Sequence, residues 1–368
     1  MGFPRWIFPQ RQQASTSRWA RASQPLILLF LALLLLQSLW PLDTGFLPHL
    51  SFRRPAIPNI VHFTYIQPPL LDPLEPDPDE PFHISFQTFL AIYSAARILK
   101  PSKIYLHHNL PFSVLEDAKH SGSKWTRKLF TTFPSVLELN SVAMPDYANA
   151  GPDSDSVRWE QVYEMGGVFL DTDVVVLRDV RVLREAGFNS VVGRQSNGKV
   201  VAGCFMARRH AALAYVMQRE WGLVFENRWQ THATELVTAV AERLAGSPGE
   251  VLILDQKAMV PGNWDDQAAD AIFKPRNVSV PVWPQVNDLE EDPMARWYNK
   301  ARSQEWEMDF SATYFLQSFQ PRGRVIEGYP GASVKYVLAR NSNYALAVWP
   351  IVQRGIKEGV FAEMDDEP

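Results

Sequence analysis

The chain is nearly without cysteine: Cys204 is the single one in 368 residues. A lone thiol excludes any intrachain disulfide, so the fold has to rely on its core. Cys204 lies in an apolar run with no evident base beside it and reads as a core residue, not a nucleophile. An excess of positive charge is also missing. Lys and Arg number 36 against 40 Asp and Glu, the formal net charge is −4, and no long basic stripe appears. That balance speaks against a nucleic-acid binder. No internal repeat is visible, which argues against a solenoid or propeller. What remains, 46% hydrophobic and 21% charged residues, is the make-up of an ordinary folded globular chain.

One long apolar run is present, residues 25–42 (Pro25 to Leu42). It reaches the short end of what spans a bilayer. The residues before it carry Arg5, Arg11, Arg18 and Arg21 and no acid, so the positive-inside rule predicts a cytoplasmic tail over 1–24. No Ala-x-Ala cleavage site follows, which favours an uncleaved signal anchor over a removed signal peptide. A short span suits a thin early-secretory membrane. The expectation is a single-pass type II protein of the Golgi membrane, with a stem over 43–57 and a lumenal domain over 58–368. Asn277-Val278-Ser279 is a glycosylation sequon consistent with that exposure.

Within the lumenal part, apolar patterning predicts a strand over 58–66, a helix over Phe82–Leu99 and strands at Ile104–Leu106 and 136–139. A Pro-rich acidic run to Pro81 separates the first two. Strands near 189–193 and 200–206 follow, then helices near 210–226 and 232–245. Asn343 to Ile356 has an apolar face that reads as packing against the domain. The alternation indicates a single α/β domain with a mixed central sheet.

The most informative stretch is Gly166-Gly167-Val168-Phe169-Leu170-Asp171-Thr172-Asp173-Val174. In an extended segment alternate residues share a face, which turns Asp171 and Asp173 to one pocket. Two crowded carboxylates repel unless a cation sits between them, and a hard divalent ion such as Mn2+ or Mg2+ is the natural occupant. A bare Asp-x-Asp is equally compatible with a solvated turn. Just upstream, Asp153 to Met165 reads as a helix capped by Asp153 or Ser154 and stopped by the two glycines. Asp155 and Arg158 are three apart and share its face. Led through the glycine turn, that face lies beside the acidic pair, where one group accepts and the other donates hydrogen bonds to sugar hydroxyls. An ordinary surface ion pair is the alternative.

Residues 154–177, Ser-Asp-Ser-Val-Arg-Trp-Glu-Gln-Val-Tyr-Glu-Met-Gly-Gly-Val-Phe-Leu-Asp-Thr-Asp-Val-Val-Val-Leu, resemble the signature of glycosyltransferase family 32. That family includes fungal Golgi mannosyltransferases and the enzymes that mannosylate inositol phosphoceramide. The same arrangement recurs in the clostridial glucosylating toxins. The resemblance implies a GT-A type nucleotide-sugar-binding fold and a reaction that retains the donor's anomeric configuration. It implies that Asp155 and Arg158 hold the donor sugar, that Asp171 contacts ribose or sugar and that Asp173 ligates the metal. More loosely, Ile57 to Ile66 resembles the family's first strand and offers Tyr65 for stacking on the nucleobase. Val201 to Ala207 resembles the small-residue strand behind the donor pocket, and Trp229 to Leu236, with Thr231, His232 and Glu235, falls where the family has an acceptor-side helix.

The family often has a late His at the metal or diphosphate, where this chain carries Tyr314, a poor metal ligand because its phenol stays protonated. Asp309, Ser311 or water are possible replacements. The expected cofactors are thus Mn2+ or Mg2+ with a sugar nucleotide, GDP-mannose favoured and a UDP-hexose compatible. The acceptor is a glycan or glycolipid, and a glycosyltransferase complex is a possible setting. No nucleophile declares itself, though Glu235 and Asp265 are candidates. Two other readings exist. A haloacid-dehalogenase-like phosphatase would use Asp171 as nucleophile, with Lys257 and Asp265-Asp266 supporting it, but gives no role to Asp155, Arg158 or the glycines. A membrane-anchored subunit without catalysis is the other, motivated by Tyr314.

Overall fold

The structure, a computed structural model, describes residues 55–67, 82–143, 154–221, 231–263, 265–277, 305–319 and 325–368. The tail, the apolar run 25–42, the stem up to Arg54, the Pro-rich run to Pro81 and most of the sequon lie outside these. Among the described residues no helix is long and apolar enough to cross a membrane. The end of the expected stem belongs to the domain: Ile57 is buried, its N–H donates to Arg184 O at 3.0 Å, and Arg184 Nη1 donates back to Ile57 O at 2.9 Å.

The first strand is β1 (Ile60–Tyr65). It leads to helix α1 (Phe86–Ser94), capped by the Ser85 hydroxyl accepting from Thr88 N, and to a π-helical turn at Ala95–Leu99. Then come β2 (Lys103–His108), α2 (Phe112–Ser121), α3 (Lys124–Thr132) and β3 (Leu137–Ser141). Helix α4 (Ser154–Met165) feeds β4 (Gly167–Leu170), β5 (Val174–Val176), β6 (Ser190–Arg194) and β7 (Val200–Ala207). Helix α5 (Ala212–Trp221), a π-helical stretch at Thr231–Leu236 and α6 (Val237–Ala245) precede β8 (Val251–Leu254). Toward the C-terminus come α7 (Asp266–Phe273), β9 (Phe315–Gln317) and α8 (Asn343–Lys357).

Seven strands form one sheet in the order β3-β2-β1-β4-β7-β6-β8, while β5 and β9 make a separate pair. Strands β3, β2, β1 and β4 are mutually parallel. Strand β7 runs antiparallel to β4 and β6, and β8 is parallel to β6. The expected mixed α/β architecture is therefore present. Buried residues alternate between the two faces with the strand period of two. Val168, Leu170, Cys204 and Met206 pack on one face with Phe89, Trp125 and Tyr344. Phe169, Ala202 and Phe205 pack on the other with Trp159, Val162 and Leu213. Helix α8 buries Tyr344, Val348, Ile351 and Val352 against the domain.

Candidate active site

Helix α4 ends because Gly166 adopts φ +67°, a left-handed conformation that side chains resist. The turn is also too crowded for a side chain. A Cβ on Gly166 would lie 2.6 Å from Arg209 N, and one on Gly167 (φ +126°) 2.6 Å from Ile60 O. The two glycines thus let α4 fold back tightly into β4, and β4 delivers Asp171 at the carboxyl edge of the parallel strands. Open α/β sheets bind their ligands outside that edge.

The acidic pair sits differently from an extended strand. Strand β4 stops at Leu170, and Val174 N donates to Asp171 O at 3.0 Å. Asp171, Thr172 and Asp173 therefore make a tight turn. The chain is leaving the seven-stranded sheet at this point to pair β5 with β9. Asp171 remains tied to the sheet through its N–H, which donates to Gly203 O at 2.8 Å. The Asp173 carbonyl accepts from Ser318 N at 3.2 Å and from Ser318 Oγ at 2.8 Å. Both aspartates are partly exposed as residues; the turn is fixed by backbone contacts, the Asp171 side chain is 27% exposed, and Oδ1 of Asp173 is buried.

Asp155 and Arg158 lie beneath the turn and are only 3% and 6% exposed. The Arg158 guanidinium pairs with Asp155 Oδ1 through Nη2. The same Nη2 stands 3.1 Å from Asp171 Oδ1, and Nη1 donates to Ala202 O at 2.8 Å. Its carbon lies 4.7 Å from the centre of the Phe169 ring, a cation–π contact. Arg158 thus joins α4, β4 and β7 and orients Asp171. Three carboxylates against one guanidinium leave a formal charge of two negatives, which matches one divalent cation.

Gln317, which sequence reasoning missed, comes to this turn from the late strand. It pairs in register with Val174, and its Nε2 lies 3.5 Å from Asp171 Oδ2. The side chain is 5% exposed, and its Oε1 is buried with no hydrogen-bond partner. Gly203 makes the space: a Cβ there would stand 2.2 Å from Gln317 Nε2 and 2.7 Å from Asp171 Oδ2. The available signal was a polar residue inside the apolar run Tyr314-Phe315-Leu316-Gln317.

Tyr314 stands elsewhere. Its carbonyl accepts from Leu177 N at 2.8 Å, and Arg178 covers its ring at 5.2 Å. Three strand residues, about 10 Å, separate it from Gln317, because the β5–β9 register sets Phe315 opposite Val176. Tyr314, which the resemblance aligns with the family's late His, thus stands at the other end of this segment from Gln317. Asp309 accepts from Ser311 N at 2.9 Å, on the same far side of β9. Tyr65 ends β1 at the same sheet edge as the turn. Its hydroxyl accepts from His83 N at 3.0 Å, and Phe82 packs edge-on against the ring at 4.7 Å.

Glu235 pairs with Lys199 at 2.7 Å. Asp265 caps α7, accepting from Ala268 N at 2.8 Å, and also accepts from Asn263. Cys204 is buried, and burial raises its thiol pKa well above the ordinary value, with Asp171 and Asp173 adding to the effect. It is a core residue. Among the described residues no three His, Cys, Asp or Glu side chains gather as a ready-made metal cluster. A hard cation also accepts amide and carbonyl oxygens, so the acidic turn with the orphaned Gln317 oxygen fits such an ion.

No protein-family model and no curated protein matches the chain. Several solved structures are similar in fold. PaToxG glycosyltransferase is 12% identical with a TM-score of 0.32, over 62% of this chain and 80% of that one. The glycosyltransferase GlyE of Streptococcus pneumoniae TIGR4 is 12% identical with a TM-score of 0.38, over 84% of this chain and 66% of its own. The galactosyltransferase LgtC, solved with donor and acceptor sugar analogues, is 11% identical with a TM-score of 0.31, over 54% and 74%. At these identities and scores the likeness decides nothing about activity or substrate.

Proposed function

We propose that the chain is a metal-dependent, retaining glycosyltransferase of GT-A type. It would move a hexose from a sugar nucleotide to a glycan or glycolipid acceptor. The observation that carries the reading is the acidic turn: a rigid backbone holds two partly exposed aspartates at the carboxyl edge of a parallel sheet, one of them oriented from below by Arg158. Asp173 is the direct ligand of Mn2+ or Mg2+ and Asp171 faces ribose or sugar. Bound there, the cation would neutralise charge on the departing diphosphate. The chain's own residues supply orientation: Arg158 fixes the Asp171 carboxylate, Asp155 fixes Arg158, and both form the floor under the donor sugar. Tyr65 stands at the same edge for the nucleobase. β7, with Gly203 bare, backs the site.

GDP-mannose is the favoured donor on the strength of the sequence resemblance, with UDP-hexoses compatible with the same residues. The arginine-bearing tail and the apolar run 25–42 support a Golgi signal anchor with the catalytic domain lumenal. A panel of sugar nucleotides incubated with the full chain, with and without Mn2+, tests the proposal. Manganese-dependent hydrolysis or transfer from one donor is the expected result. No turnover of any donor, or a phosphoenzyme trapped at Asp171 by a fluoride analogue, would overturn it.

A further inference from the structure

We propose that Gln317 supplies the third protein oxygen of the cation site, through Oε1. The inference rests on the reading of the acidic turn as a cation site and names one of its ligands. A buried acceptor left without a partner is destabilising, and the Gln317 oxygen is in that state. The orientation of the amide is set by chemistry. The Asp171 carboxylate can only accept, so the NH2 end turns toward its Oδ2 at 3.5 Å and the carbonyl end turns away. That contact is long for a hydrogen bond.

The backbone that presents Gln317 is held in place. Its neighbour Ser318 binds the Asp173 carbonyl through both N–H and hydroxyl, and Gln87 Nε2 donates to Ser318 Oγ at 2.7 Å. Gln317 and Asp173 are therefore fixed relative to each other before any ion arrives. Gly203 completes the device, because any side chain there would fill the space that the amide and the Asp171 carboxylate share. A set of carboxylate and amide oxygens, without imidazole or thiolate, selects hard ions. Mn2+, Mg2+ and Ca2+ should compete for the site with Zn2+ gaining no advantage.

The test is titration of Mn2+ alone into the full-length protein, with free Mn2+ read by electron paramagnetic resonance. Gln317→Ala should weaken binding about tenfold, a loss typical of removing one interaction at a metal site. Gln317→Glu, nearly the same shape with an added charge, should bind Mn2+ at least as tightly as the wild type. It also keeps the test decisive if the alanine variant folds poorly. Wild-type affinity in Gln317→Ala, or weakened binding in Gln317→Glu, would overturn the assignment. If Asp173→Asn meanwhile abolishes binding, the cation site itself stands and only the role of Gln317 falls. If the wild type binds no Mn2+, the cation-site reading falls together with this inference.

Discussion

Mild acid should destabilise the protein through two buried histidines that lock the glycine turn. His62 and His107 are both 0% exposed. His62 Nε2 lies 2.8 Å from Gly166 O, which can only accept, so that nitrogen carries the proton. His62 Nδ1 then accepts from His107 Nε2 at 3.0 Å, and His107 Nδ1 accepts from the Asn140 amide at 2.9 Å. Asn140 also donates to Gln161 Oε1 at 3.2 Å, which closes the chain onto α4. Every ring nitrogen is in use, and a further proton has no acceptor. Burial lowers the pKa of His62 to about 4. Burial, with His62 and His108 adjacent, lowers that of His107 to about 3. In the unfolded chain both titrate near 6.5. The unfolded state therefore takes up protons first, so the stabilisation is whole above about pH 6.5 and is lost as the pH falls toward 4 and then 3. From pH 7 to pH 5 each histidine costs about 2 kcal/mol, about 4 kcal/mol together. That is a large part of a typical stability of about 5–15 kcal/mol. Urea unfolding at pH 7, 6 and 5 measures it, in a window above the ordinary carboxylate range. The double variant His62→Gln/His107→Gln should lose most of the pH slope even though it is less stable at pH 7. An equal slope in the double variant, or a flat profile in the wild type, would refute the reasoning.

Arg158→Ala leaves buried Asp155 and part-exposed Asp171 without their common cation and should cost about 3 kcal/mol of stability, read by chemical denaturation. A loss of turnover without destabilisation would instead place the guanidinium in contact with substrate alone. Gly203→Ala should lower the thermal midpoint only modestly, because the atoms that its Cβ would meet are side-chain ends of Gln317 and Asp171 and not backbone. Displacing them should still weaken Mn2+ binding, and unaltered binding by paramagnetic resonance would count against the geometry of the site.

Much of the fold was legible because patterning and punctuation agreed. The expected helix up to Met165, its glycine stop and the strand after it all appear, since φ > 0 at Gly166 is a purely local demand. The helix expected over Phe82–Leu99 is a shorter α-helix continued by a π-helical turn, a change that apolar periodicity does not register. Helices α2 and α3 escaped notice because their faces mix Lys, Thr and Ser among few apolar residues. At the site, the aspartates and Arg158 announced themselves by spacing. The turn at Asp171–Asp173 did not, because it is imposed by the pairing of β5 with β9, strands more than 130 residues apart. Gln317 was hidden for the same reason: only that register brings it to Asp171, whereas alignment by residue type pointed to Tyr314.

The claim on which the account stands is that the acidic turn carries a cation which in turn carries a nucleoside diphosphate. Calorimetric titration of GDP and of UDP into the full-length protein, with Mn2+ and then with EDTA, and into Asp173→Asn, tests it directly. One of the two nucleotides should bind with Mn2+, and that binding should vanish with EDTA and in the variant. Equal binding under all three conditions, or none with Mn2+, would contradict it.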